Sequence, residues 1–281
     1  LAGIPNRMGG VIPFLRPLLD FGRAELRDHL IAEGIAWADD PSNDDDAFDR
    51  VRARKMGGVL ADLGLTQERL LQTAEHMRAA QKVLKAEALR RAKLDVTTEG
   101  GDLVLARSLL ELGDSDTEPR VLAAAIGWVG GEAVYKPRFA SLKDAAAAVL
   151  AGQTRTIGGV ILSPQAGGKV RLTREAAAVT GLETEIDPET MPETGYAWDG
   201  RWRLLPSTPR RHLPAGLKIR ALGTGVLSCP DWRASGLPRA SLAATPAIWS
   251  DNRLESAPMA GFLNGWSAII AQDFLSCLVT H

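Results

Sequence analysis

The stretch from Thr66 to about Lys93 is the longest periodic segment of the chain, with Leu70, Ala74, Met77, Leu84 and Ala88 recurring at helical spacing. Such a pattern is satisfied by one long amphipathic helix whose apolar stripe faces a core. Thr66 can cap its start, but Arg69 stands three residues on where a capping box needs an acid or amide, so no box forms. Arg78, Lys82, Lys85 and Lys93 fall within roughly a quarter turn of one another at 100° per residue. That basic stripe has two readings, a solvated helix face or a row of contacts to nucleic-acid phosphates.

Other elements follow from period and punctuation. Residues 23 to 33 form an amphipathic helix (Leu26, Leu30 and Ile31 apolar) stopped by Gly34. A second helix is expected from about Asp44 to Leu60. Asp95–Thr98 and Leu103–Ala106 make a hairpin across Glu99-Gly100-Gly101-Asp102. Helices at Thr117–Val129 and Arg138–Ala151 follow, the second carrying an Ala145–Ala148 run suited to close packing. After Gly152 the composition turns to strands. Thr154–Leu162 and Lys169–Arg174 form a hairpin, and Trp198–Leu204, Lys218–Leu222 and Ile248–Ser256, turning at Asp251-Asn252, are further strands. Pro188 to Glu193 reads as an exposed loop.

A chain of 281 residues, 45% hydrophobic and 24% charged, has room for more than one core and no apolar run of membrane-spanning length. Its start shows no charged segment followed by an apolar stretch and a small-residue cleavage site, so no secretion signal is read. Cys229 and Cys277 lie far apart without partners at metal spacing, which suits reduced thiols in a cytoplasmic protein.

The net charge of −1 conceals segregation. Residues 20 to 49 are acidic, with Arg23 and Arg27 the bases among them, whereas residues 50 to 93 are basic. Residues 182 to 199 hold acids and no Lys or Arg, and residues 201 to 239 are basic again. A nucleic-acid ligand would therefore meet a local basic face, since the overall pI near 6.5 provides no general attraction.

Trp37 to Arg54 reads W-A-D-D-P-S-N-D-D-D-A-F-D-R-V-R-A-R. Acids before a helix and bases after its first turn suit the positive end of the helix dipole. Ser42 and Asp45 fit a capping pattern, and Asp46, Arg50 and Arg54 share one helical face at i, i+4 and i+8. The same residues bring carboxylates, an amide and guanidinium groups together, the polar inventory of a nucleotide pocket. Spacing alone leaves both readings open.

Order adds to spacing. Arg16-Pro17-Leu18-Leu19 precedes Arg23-x-Glu25-Leu26 and Gly34-Ile35-x-Trp37, followed by Asp40-Pro41-Ser42-Asn43 and Phe48-x-Arg50-Val51-Arg52-Ala53-Arg54. This series, over residues 12 to 54, resembles the end of the catalytic domain in the tRNA(Ile)-lysidine synthetases. Cys229-Pro230-Asp231-Trp232-Arg233-Ala234-Ser235-Gly236-Leu237-Pro238-Arg239 is similar to the C-terminal region of some bacterial members. Val51 stands where the family usually has Asn, and neither its Ser-Gly-Gly-x-Asp-Ser phosphate loop nor its His-x-x-Asp-Asp segment occurs in these residues. The chain opens Leu1-Ala2-Gly3, and the expectation is the C-terminal part of a longer enzyme, cut near the end of its ATP-binding domain.

The resemblance implies an α+β protein. Residues 1–60 would be the tail of an α/β PP-loop nucleotide-binding domain, 61–153 a helical tRNA-binding domain, and 154–281 a β-rich C-terminal domain. It implies ligation of free lysine to C2 of the wobble cytidine in a tRNA(Ile) with a CAU anticodon, through an adenylated intermediate, which changes decoding from AUG to AUA. ATP and Mg would serve the intact enzyme, with neither expected on this fragment. Asp40 and Asn43 would shape the pocket loop, Arg50 and Arg54 would hold phosphate or RNA backbone, and Arg78, Lys82, Lys85 and Lys93 would bind tRNA. The oligomeric state is open, a homodimer included, and no membrane partner is expected. Asp44, Asp45 and Asp46 point different ways from consecutive positions, and His29, His76, His212 and His281 are scattered, so no metal site is read. Trp198, Trp202, Trp232, Trp249 and Trp266 could stack bases, though burial is the commoner use. Two alternatives stay open, a stand-alone RNA-binding module and a tRNA thiolase of the same superfamily. A thiolase needs reactive Cys near its site, and Cys229 and Cys277 lie far from the Asp40–Arg54 block.

Overall fold

The computed structural model describes residues 7–8, 14–19, 21–43, 45–131, 137–187, 189, 194–207, 214 and 216–280. Contacts divide the chain into two compact units, Leu1–Val83 with Thr280 and Leu84–Val279 with His281. In the first unit β1 (Arg7–Met8) pairs antiparallel with β2 (Phe14–Leu15). Then come α1 (Arg23–Ala32), a 3-10 turn at Pro41–Asn43, α2 (Asp49–Lys55), α3 (Gly57–Asp62) and the start of α4 (Gln67–Asp95). Glu25 closes back on the Gly22 amide to begin α1, and Gly34, at φ +66°, ends it as expected.

The single helix expected over 44–60 is two short ones. The helical path breaks at Met56, before Gly57-Gly58, where two residues without side chains give a helix interior little support. α4 is the long helix expected, and the Thr66 hydroxyl accepts the Arg69 amide at 3.3 Å as its cap. The core face expected for it is only half realised. Ala88 and Ala92 are fully buried, whereas Leu70 and Met77 are 47% and 45% exposed.

The second unit starts with β3 (Val96–Glu99) and β4 (Asp102–Ala106), joined by Gly100 and Gly101 as expected. α5 (Thr117–Gly130) and α6 (Phe139–Leu150) follow, with Ala145 and Ala146 of the alanine run packed inside. The strand expected over 154–162 is divided. Gly158 and Gly159, both at positive φ, turn β5 (Arg155–Ile157) back into β6 (Val160–Gln165), and β7 (Lys169–Arg174) comes next. These strands form an antiparallel sheet ordered β3-β4-β7-β6-β5, so strands from either side of residue 154 share one sheet. Its inner face, with α5, α6, the end of α4 and a C-terminal helix, encloses Leu103, Leu105, Leu122, Ile126, Leu162 and Leu172.

Beyond lie β8 (Thr184–Glu185), β9 (Tyr196–Trp198), β10 (Trp202–Pro206), β11 (Leu217–Ala221), α7 (Arg239–Ala243), β12 (Pro246–Ser250), β13 (Arg253–Ser256), β14 (Trp266–Ile270) and α8 (Phe274–Thr280). They make two more antiparallel sheets, β13-β12-β11-β8 and β14-β10-β9. The expected strand 198–204 is a hairpin. Asp199 and Gly200, at φ +50° and +62°, make the tight Asp-Gly turn that this dipeptide favours. Most of the loop expected at 188–193 lies outside the described residues.

Candidate functional site

Within the first unit, residues 37–55 form a compact polar segment. The Asp40 carboxylate accepts the Ser42 amide at 2.9 Å and closes the turn into Pro41–Asn43. Asp45 accepts the Ala47 amide at 2.9 Å in the same way. These aspartates organise the loop by bonding their own backbone two residues on. Because α2 begins at Asp49, Ser42 does not cap it, contrary to the capping pattern read in the sequence. Asp39 receives the guanidinium groups of Arg23, at 3.4 Å, and Arg27, and Arg27 lies 5.9 Å from the Trp37 ring centre, so α1 is tied to this loop. Both partners are substantially exposed, and pairs of this kind contribute at most about 1 kcal/mol.

On α2, Arg52 pairs with Asp49 and donates to the Asp46 carbonyl at 3.3 Å, while Lys55 reaches Asp46 at 2.7 Å. Arg50 and Arg54 lie one turn apart on the same helix. Their side chains, and that of Asn43, lie outside the described residues. Val51 is 2% exposed, so the position where the resemblance expects an amide carries an apolar residue packed inside.

On α4, Arg78, Lys82 and Lys93 are exposed and Lys85 is half-buried. Neighbouring charges are used locally. Arg90 grips Glu87 at 2.8 and 2.6 Å and holds its carboxyl below the usual range, and Arg91 pairs with Asp95 at 2.5 Å. Among the described residues no ion pair engages Lys82, Lys85 or Lys93, so their charge is turned to solvent.

The second unit contains a buried polar network that the sequence reading missed. Asp102, 3% exposed, accepts Arg171 at 3.0 Å, the Thr173 hydroxyl at 2.9 Å and the Ser241 hydroxyl at 2.5 Å. It joins β4, β7 and α7. Burial pushes its carboxyl up, and the donors from Ser241, Arg171 and Thr173 offset part of that rise. Arg171 also reaches Glu99; burial alone would lower its guanidinium, but the two carboxylates outweigh it and raise it. Nearby, Arg174 holds Asp199 with two bonds of 3.0 and 2.9 Å, and Asp199 too is raised by burial. Arg201 donates to the Gly101 carbonyl and lies 4.9 Å from the Trp128 ring centre, with burial lowering it to about 10. The available signal was alternation. Arg171 and Thr173 interleave with Val170 and Leu172, which reads as a half-exposed strand until a second layer covers the polar side.

The Glu99–Gly100 tip of this hairpin borders a shallow cleft of about 640 Å³, completed by Asp231, Ala234–Leu237, Pro258, Met259 and Gly261. Here lies the 229–239 motif. Arg233 stacks 4.5 Å from the Trp232 ring centre on its exposed side. Trp198, Trp202 and Trp266 are core residues, which leaves Trp232 and Trp249 as the partly exposed rings of the five. Cys229 is 2% exposed, its Sγ 3.6 Å from the Gly225 carbonyl, and burial pushes its thiol up. Among the described residues no group of three His, Cys, Asp or Glu is placed to hold a metal, and no helix is long and apolar enough to cross a membrane.

Comparison with known proteins gives this geometry a context. Residues 1–57 match a family model described as a PP-loop domain. A tRNA(Ile)-lysidine synthase of Ruegeria pomeroyi is 37% identical over 281 residues, covering 99% of this chain and 64% of the relative. Proteins with the same name from Rhizobium meliloti and Methylobacterium nodulans are 31% and 36% identical, each over 69% of this chain and over 40% and 56% of their own lengths. This chain thus spans less than two thirds of each of these relatives.

Proposed function

Since this chain belongs to the tRNA(Ile)-lysidine synthase family, we propose that it supplies the tRNA grip and one edge of the pocket in an ATP-dependent ligase acting on isoleucine tRNA in the cytoplasm. The observation that carries the reading is the match to the Ruegeria pomeroyi relative along 99% of the chain. In the proposed reaction, the C2 carbonyl oxygen of the wobble cytidine of a CAU-anticodon tRNA(Ile) attacks the α-phosphate of ATP and pyrophosphate leaves. The amine of free lysine then attacks C2, AMP leaves with the oxygen, and the amine gives up a proton. Adenylation is needed because an amide-like oxygen is a poor leaving group and AMP a good one.

The residues of this chain do not make a complete site for ATP and Mg. The Ser-Gly-Gly-x-Asp-Ser loop does not occur in the sequence, and the described residues offer no metal-binding group. We therefore derive no phosphoryl step from them. Asp40 and Asn43 are assigned to the shape of the pocket loop, Arg50 and Arg54 to phosphate or RNA backbone. Residues 61–153 are assigned to the body of the tRNA, with Arg78, Lys82, Lys85 and Lys93 as phosphate contacts, and residues 154–281 to choosing the tRNA. The thiolase alternative has less support, because a buried Cys229 with a raised pKa is a poor nucleophile.

The test is tRNA binding by the 281-residue chain against a variant with Arg78, Lys82, Lys85 and Lys93 changed to Gln. Phosphate contacts position without specifying, so cognate and noncognate tRNA should weaken alike. Each lost contact should flatten the slope of log K against log[salt] by roughly 0.7–0.9. These side chains are exposed or half-buried, so folding should survive, and thermal unfolding checks that. Unchanged affinity and slope in the folded variant would remove the stripe from the interface. The chain by itself is expected to release no AMP with ATP, lysine and tRNA, and turnover would refute the division of labour.

A further inference from the structure

The apolar stripe of α4 is continuous in sequence but covered over only half its length. Leu70, Ala74, Met77, Leu84 and Ala88 lie within roughly 40° of one line along the helix. Ala88 is wholly buried and Leu84 half-buried, while Met77 and Leu70 are bare. The elements before α4 share this condition. Neither α1 nor α3 buries any residue, and Ile31 and Leu63 are 65% and 73% exposed. Among the described residues up to Val83, Val51 is the one buried hydrophobic. Helices of this kind are normally stabilised by packing an amphipathic face, and exposed apolar surface so concentrated marks a binding face.

We propose that this surface, from α1 through α3 to the first half of α4, docks the α/β body of a PP-loop nucleotide-binding domain. The inference rests on the function proposed above and adds the surface by which the two parts meet. Three observations select this occupant. Residues 1–57 match a PP-loop domain, the phosphate loop of such a domain does not occur in the chain, and more than a third of the Ruegeria pomeroyi relative lies outside the match. The bare stripe also continues past the matched segment to Met77, so the docking helix is one that the family model does not include. The basic stripe is centred roughly 100° around the same helix, which leaves it open to phosphate while the apolar line is covered.

The test mixes the 281-residue chain with the part of the Ruegeria pomeroyi relative outside the match, made as a separate polypeptide, and reads hydrogen exchange and sedimentation. A one-to-one complex is expected, with exchange slowed in 23–32, 57–62 and 67–83 and unchanged in 84–95. Leu70→Lys with Met77→Lys should weaken it at least tenfold while the thermal unfolding of the chain alone stays the same, since neither side chain is buried there. Unslowed exchange in those segments would overturn the proposal. So would slowing that grows with the concentration of the chain alone, which would make a second copy the occupant. Stripe-dependent tRNA binding, measured in parallel, separates the two readings. If it persists without docking, only the docking surface falls; if docking occurs and the complex makes no lysine-dependent AMP, the functional reading falls.

Discussion

Gly101→Ala should destabilise the second unit far more than the same change at Gly168, and the difference measures how tightly the β3–β4 tip is packed. Both glycines sit in hairpin turns of one sheet at positive φ, +99° and +66°. At Gly168 an added methyl meets nothing within 4 Å, so the cost is backbone strain alone, about 1–2 kcal/mol. At Gly101 it would lie 2.6 and 2.9 Å from two carbons of the Trp202 indole. Trp202 is 2% exposed and cannot swing away, and moving the backbone instead would disturb the Gly101 carbonyl that receives buried Arg201. Strain of about 1–3 kcal/mol and overpacking of about 1–3 kcal/mol give a loss of about 2–6 kcal/mol. For a unit of this size each kcal/mol lowers Tm by roughly 2–4 °C. Thermal unfolding followed by circular dichroism should therefore show Gly101→Ala falling by on the order of 10 °C and Gly168→Ala by a few. If Gly101→Ala unfolds no earlier than Gly168→Ala, Trp202 does not pack against the turn and the buried arrangement around Arg201 is misread.

In a full-length enzyme carrying this segment, Arg54→Ala is expected to lose roughly 10- to 150-fold in kcat/KM for lysine-dependent AMP release, from a lost charge-assisted contact of about 1.5–3 kcal/mol; Arg52→Ala should lose little, because its exposed guanidinium is engaged with Asp49, and equal losses would show the Arg50–Arg54 face to be solvated. Burial raises Asp102 above its unfolded value, so as pH rises through that window the unfolded chain gives up its proton first and stability declines. Urea midpoints measured across the acid range should show a shallower decline for Asp102→Asn than for the unsubstituted chain, and an identical profile would mean that Asp102 does not titrate as a buried group.

Local rules were enough wherever an element's limits are set by its own residues. Gly34 stops α1, Gly100 and Gly101 turn β3 into β4, and Thr66 caps α4, all from chemistry within a few positions. They gave the wrong boundary where a short turn signal sat inside an apolar pattern. Asp199-Gly200 lies between Trp198 and Trp202, and the alternation of large residues hid a turn whose dipeptide is a strong hairpin signal. Gly158-Gly159 was passed over in the same way. The half-bare stripe of α4 is a different matter, because periodicity states which residues share a face and is silent on whether anything covers it.

The candidate site divides along the same line. The Asp40–Arg54 segment could be singled out because a family pattern preserves residue order, and the turns made by Asp40 and Asp45 are local enough to match that order. The network around Asp102 draws on β4, β7 and α7, so no window of sequence contains it. Each member looks ordinary alone: an acid after two glycines, a strand arginine, a serine in a short helix. Their meaning comes from desolvation, which is a property of the packed layers. A buried carboxylate with three side-chain donors is costly to leave half-satisfied, so Asp102 fixes where α7 sits against β4 and β7. Because α7 begins at Arg239, the last residue of the 229–239 motif, that constraint also sets how the motif is held beside the hairpin tip. Substitutions at Asp102, Arg171 or Ser241 should therefore alter tRNA selection, if the motif takes part in it, through the placement of Trp232 and Arg233 and without any contact of their own.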